Sequence, residues 1–222
     1  MELYEVMRTT FAAREYTGEP LPDEILYEIL ENARFAPSGG NRQGNRLIVV
    51  RKSETREAFI KLLEPAAKRY QAQAKAGESP WNTISPTKVT LNDIQNTPAP
   101  TRLMEPYKTA DVLLVVTVDL RVVASTDQYL DRIGIISGAS IYPFVWNILM
   151  AARQAGYGGT ITTLAAAEEL SIQKLLNIPR EFAVCAVIPL GKPVKQLTKL
   201  RRLPVEKIVT HERFDGLPFT KP

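Results

Sequence analysis

Apolar residues recur at Ile25, Leu26, Ile29, Leu30 and Ala33, three and four apart behind Pro22 and Asp23. This spacing predicts one amphipathic helix with an acidic first turn. Pro37 must end it, Ser38-Gly39-Gly40-Asn41 makes a compact loop, and residues 47–50 are branched and apolar enough for a buried strand. From Ser53 to about Arg69, Ala58, Phe59, Leu62 and Leu63 share one side against mixed charge, which predicts a surface-packed helix. The pattern then fails. Between Gly77 and Tyr107 five prolines, Pro80, Pro86, Pro98, Pro100 and Pro106, interrupt regular structure. Residues 77–107 therefore read as a proline-rich excursion or lid, with Trp81 and Leu103 as apolar residues able to dock.

Residues 112–118 form an apolar strand, and residues 133–152 run without a charge. That second stretch has the length of a membrane span, but Ser137, Ser140, Pro143 and Asn147 interrupt it and favour a buried central helix shared with a partner subunit. A Gly156-Tyr157-Gly158-Gly159-Thr160 turn follows, then a helix over 164–176 with Thr163 as N-cap, and a strand over 182–190 closed by Gly191 and Pro193. Residues 1–222 thus read as one domain, a layered sheet with helices whose irregular connections do not suit a parallel α/β sheet.

Composition narrows the chemistry. The 28 Lys and Arg against 24 Asp and Glu leave a net charge of +4, too weak a bias for a duplex-binding surface. The stretch Lys192, Lys195, Lys199, Arg201 and Arg202 lacks neighbouring aromatics to stack on bases, so no nucleic-acid partner is expected. Cys185 is the one cysteine and His211 the one histidine, which excludes an intrachain disulfide and leaves almost no material for a zinc cluster or a Ser/His/Asp triad. Cys185 reads as a buried small hydrophobe and His211 as a surface or interface residue. An acidic opening without a basic, apolar leader predicts a cytoplasmic protein with no membrane association. No Gly-x-Gly-x-x-Gly follows a strand, so a dinucleotide fold is not signalled.

What remains is a set of glycine-containing loops at element ends and basic residues near both ends of the chain. The motifs Met7-Arg8-Thr9-Thr10-Phe11-Ala12-Ala13-Arg14-Glu15-Tyr16 and Ala33-Arg34-Phe35-Ala36-Pro37-Ser38-Gly39-Gly40-Asn41-Arg42-Gln43 lead this set. With the Ala155-Gly156-Tyr157-Gly158-Gly159 turn, Ile188-Pro189-Leu190-Gly191-Lys192-Pro193 and Arg202-Leu203-Pro204, the chain resembles the FMN-dependent nitroreductase family. The resemblance implies an α+β nitroreductase-like fold, a central, mostly antiparallel sheet flanked by helices, in an intertwined homodimer with FMN at the subunit interface. It implies Arg8, Arg14 and Arg202 at the phosphate and ribityl chain. Pro37, Ser38, Gly39, Asn41 and Gln43 would lie around the flavin from the other subunit, and Gly159 and Thr160 near its reactive edge.

Two departures from the family pattern stand out. Thr10-Phe11-Ala12 replaces the usual Arg-Arg-Ser, so Thr10 joins the candidate set and Arg201 and backbone amides become further phosphate donors. Gln43-Gly44-Asn45 replaces Gln-Pro-Trp, which implies a repacked loop and more space near the flavin. The resemblance further implies hydride relay from NADH or NADPH through FMN to a small electron-poor acceptor such as a nitroaromatic or quinone, with no catalytic acid nominated. Reductive dehalogenation, flavin fragmentation and non-catalytic flavin binding are the alternatives.

Overall fold

The computed structural model of the protein describes residues 1–221. In chain order its helices and strands are α1 (Leu3–Thr9), α2 (Asp23–Ala33), β1 (Asn45–Val50), α3 (Ser53–Lys75), α4 (Leu91–Gln95), α5 (Thr101–Thr109), β2 (Val112–Asp119), α6 (Tyr142–Gln154), β3 (Gly158–Gly159), α7 (Leu164–Ala167), α8 (Glu169–Leu176) and β4 (Phe182–Gly191). The four strands form one antiparallel sheet in the order β1-β2-β4-β3. This is the α+β sheet with flanking helices that the sequence predicts.

Strand β2 explains why the sheet is covered twice. Its side chains alternate: Val112, Leu114, Val116 and Val118 pack with α2 and α6, while Leu113 and Val115 pack with α3, α5 and α8. A strand with both faces occupied reads as a continuous apolar run, as this one does. In the pairing of β2 with β4, Val116 faces Ala186 and Thr117 faces Val184, so Cys185 is the extra residue of a β-bulge. Cys185 is buried, and burial pushes its thiol up to about 12.

Several boundaries differ from the sequence expectation. The predicted helix over 133–152 is helical only from Tyr142, because Pro143 fits the first turn of a helix and not its interior. Residues before it form loops and a short 3-10 turn at Ile136–Ser140. The helix expected to stop near Arg69 runs to Lys75 across Pro65. Within the excursion, α4 and α5 are regular: Thr90 and Asp93 cap α4 reciprocally, and Pro100 precedes α5. The helix over 164–176 is two, α7 and α8, and the Thr163 side chain makes no capping bond. Helix α1, which buries Val6 and Thr9, had no counterpart among the elements predicted from the sequence.

Among the described residues no helix is long and apolar enough to cross a membrane. His211 is exposed, its ring 5.2 Å from that of Phe219.

Candidate functional site

The basic motif near the N-terminus is fastened before it reaches the sheet. Thr9 accepts a hydrogen bond from Arg153 of α6 at 3.0 Å, and the Thr10 hydroxyl donates to the Val6 carbonyl at 2.7 Å. Thr10 is buried, so its hydroxyl serves the end of α1. The chain then runs beside β3: Ala12 bridges Gly159, and the Ala13 amide donates to the Gly159 carbonyl at 3.0 Å. The Tyr16 phenol closes the arrangement on the carbonyls of Ala13 at 2.8 Å and Pro189 at 2.9 Å. Burial raises its ionisation well above the usual tyrosine range.

The glycines here are steric requirements. A Cβ on Gly159 would stand 2.7 Å from the Pro189 carbonyl oxygen, and one on Gly158 would stand 3.2 Å from the Ala13 Cβ. Gly156, at φ +83°, supplies the left-handed turn that ends α6. The terminating turn and the close approach to Ala12 and Ala13 thus belong to different glycines.

Arg14 emerges from this frame into a cavity of about 790 Å³, which Thr160, Ile161 and Thr162 line on the sheet side. The opposite wall comes from the excursion and its neighbours, with Trp81, Arg102 and Tyr107. The Tyr107 hydroxyl donates to Thr162 at 2.6 Å, and the Thr162 hydroxyl donates onward to the Val187 carbonyl at 2.9 Å. Burial pushes the Tyr107 phenol up to about 12, so it stays a neutral donor. Tyr142, at the start of α6, completes the aromatic lining, its ionisation raised by burial. Arg14 also borders a smaller depression of about 240 Å³ beside Phe11 and Lys195.

The second predicted cluster forms separately. Ser38 accepts from the Gln43 amide at 3.0 Å, Gly39 donates its amide to the Ser140 hydroxyl at 3.0 Å, and the Asn45 side-chain amide donates to the Ser140 carbonyl at 3.0 Å. Gly40, Asn41 and Gln43 all have positive φ, between 51° and 61°. Left-handed Gln is uncommon, and such backbone is a local cost the surroundings must hold. Pro37, Gly39, Asn41 and Gln43 are exposed. At Gly44 a Cβ would fall 2.7 Å from a Val122 methyl, so Val122 packs close against that position.

Within one chain the two clusters are not brought together. The 37–43 loop enters β1 at Asn45, opposite Val118, whereas Gly159 pairs with Leu190, opposite Val112. At ~3.3 Å per residue they lie at opposite ends of β2, about 20 Å apart. Arg8 is exposed beneath the Tyr4 ring at 5.9 Å. Arg201 and Arg202 are exposed on the C-terminal segment, where Arg202 donates to the Arg201 carbonyl at 2.7 Å. Of the predicted residues, only Arg14 and Thr160 line the large cavity. Sequence reasoning missed Tyr70, Arg102, Tyr107 and Tyr142 of that lining, whereas Trp81 and Leu103, the two apolar residues of the excursion read as able to dock, both line it.

Comparison with known proteins agrees with the fold. The chain is 27% identical over 201 residues to an NADH dehydrogenase of Thermus thermophilus, covering 88% of this chain and 89% of that one. It is 23% identical over 210 residues to human iodotyrosine deiodinase 1, covering 94% and 68% respectively. Among solved structures, an oxidized iodotyrosine deiodinase bound to FMN and 3-iodo-L-tyrosine superposes with a TM-score of 0.68 at 22% identity, over 96% of this chain and all of that one. The NADPH:FMN oxidoreductase of Vibrio harveyi, complexed with NAD+, also scores 0.68, at 19% identity over 96% and 78%. The model of the nitroreductase family matches residues 7–192, from the end of α1 through β4, and the chain belongs to that family.

Proposed function

We propose that the protein binds FMN in the cavity between Arg14 and the Gly159-Thr160 turn. There it would relay hydride from NADH or NADPH to a small electron-poor acceptor such as a nitroaromatic or quinone. The observation that carries this reading is the cavity's chemistry: two guanidinium groups, an aromatic wall and, among the described residues, no carboxylate in the lining. Such a lining suits a flat, anionic cofactor and a flat acceptor. When bound, FMN supplies the redox chemistry, accepting hydride from the dinucleotide and passing it on. For a quinone the net change is NAD(P)H, a proton and quinone giving NAD(P)+ and hydroquinone.

The chain's own residues would bind, orient and exclude water. Arg14, with Lys195 across the smaller depression and Arg8 nearby in sequence, would hold the phosphate. Thr160 and the backbone at Gly159 would sit at the reactive edge. Pro37, Ser38, Gly39, Asn41 and Gln43 do not line this cavity in their own chain, so they would reach it from a second copy, with Arg201 and Arg202 on a tail that crosses to the partner. A homodimer with two shared sites follows from this reading. A cytoplasmic location fits the single buried thiol.

A second reading keeps the site and changes the acceptor: the similarity to iodotyrosine deiodinases favours reductive removal of halide from a haloarene. The deciding experiment is purification without added cofactor, chromatography of the released flavin, and anaerobic reduction with NADH and NADPH followed by acceptor addition. Released FMN, bleaching by the dinucleotide and reoxidation by menadione or a nitroarene support the first reading. Halide release from a haloarene supports the second, and predominant FAD or no flavin overturns both.

A further inference from the structure

The charge left over on the excursion side of the cavity has no structural use in the chain. Arg102 is the second residue of α5, in a first turn that contains no acidic residue. A cation there opposes the helix dipole and costs stability. Arg102 is exposed, and among the described residues it has neither an ion pair nor a carboxylate beside it in the cavity lining.

The neighbouring Trp81 is held in place with unusual care. Its backbone is left-handed at φ +58°, and its amide donates to the buried Gln73 side chain at 3.2 Å. The Arg69 guanidinium stacks 4.4 Å from its ring centroid. A fixed aromatic plane and an uncompensated guanidinium lining one cavity are a recognition pair for a ring that carries negative charge.

We propose that Arg102, with Trp81, makes this site selective for aromatic acceptors bearing a carboxylate over their neutral counterparts. The inference rests on the flavin-site reading above. If Arg14 is committed to the cofactor phosphate, Arg102 is the remaining cation of the lining. The dinucleotide is the competing anion, and it is disfavoured because one guanidinium and one indole in the lining match a single-ring acid better than a chain of phosphates.

The test compares 4-nitrobenzoate with 4-nitrobenzamide, which share the nitro group and differ in charge, using FMN-loaded protein. Both kcat/KM and the dissociation constant by calorimetry are measured at low and high salt. The wild type should prefer the acid by about five- to tenfold at low salt, less at high salt, as for a partly exposed charge-assisted contact. In Arg102→Gln the ratio should fall toward one, and Arg102→Lys should retain part of it because charge remains without the planar fork. An acid-to-amide ratio near one in the wild type, or one unchanged in Arg102→Gln, overturns the inference. So does a rise in the KM for NADPH in that variant with the acceptor ratio intact, which assigns Arg102 to the dinucleotide. Absence of turnover with every acceptor counts against the flavin-relay reading instead, and the calorimetric ratio then decides the role of Arg102 by itself.

Discussion

Glu169, the first residue of α8, accepts a hydrogen bond from the Val184 amide of β4 at 2.7 Å. One turn on, Gln173 donates to the Phe182 carbonyl at 2.8 Å. Strand β3 pairs with β4 only at Leu190 and Gly191, so these two side chains satisfy the outer edge of β4 where no strand reaches it. Glu169→Ala should cost about 1–3 kcal/mol, since it leaves a buried amide without an acceptor. Glu169→Gln should cost less because an acceptor oxygen remains. Urea unfolding of the three proteins checks this, and equal midpoints would show that the edge does not depend on Glu169.

Asp127 gives the acid limb of stability a local origin. Its carboxyl is held down to about 2 by the Ile135 amide, then by Arg132 and the Ser125 hydroxyl. The folded state therefore binds this proton more weakly than the unfolded state, and the stabilisation is full above about pH 4 and lost as pH falls toward 2. Asp127→Asn should be less stable than the wild type at pH 7, with the gap narrowing at pH 3. A gap that is the same at both pH values would contradict the assignment.

Gly159→Ala should destabilise the fold by about 1–3 kcal/mol, because the new methyl meets the Pro189 carbonyl, Ile188 and Leu149 together. It should also lower FMN retention, since the same backbone flanks Arg14. Thermal unfolding and released-flavin content are both read, and a variant with wild-type values for each would show that the sheet yields at this point.

The separation of the two clusters predicts complementation between subunits. Arg14→Ala and Asn41→Ala proteins should each bind FMN about ten- to a hundredfold more weakly if both residues contact it. In a heterodimer of the two, one site carries both changes and the other carries neither, so tight binding should return at one of the two sites. Differentially tagged subunits, co-expressed and purified as the mixed species, provide the material. Weak binding throughout would place both residues in one chain's site or outside it.

The sheet was legible in the sequence because a strand buried on both faces has a single reading: residues 112–118 and 182–190 match β2 and β4 to within a residue at each end. Helix ends were less legible. Pro106, counted among the interruptions, lies inside α5, so proline was overcounted there, where tertiary packing outweighs its cost. The 133–152 stretch misled because lack of charge does not require a helix: before Tyr142 it is a loop and a short 3-10 turn in which Ile133, Ile135 and Ile136 are exposed. Of the site, the loops were visible through their glycines and motifs, whereas Arg102 and Tyr107 belong to the site only because α5 folds back over Thr162. No spacing along the chain carries that information.

With neighbours on both edges and helices on both faces, β2 should keep its amide protons longest. In deuterated water the backbone of residues 113–116 should exchange only when the whole molecule opens. Their rate would then report global unfolding directly, and cofactor binding should slow it by the full linkage free energy.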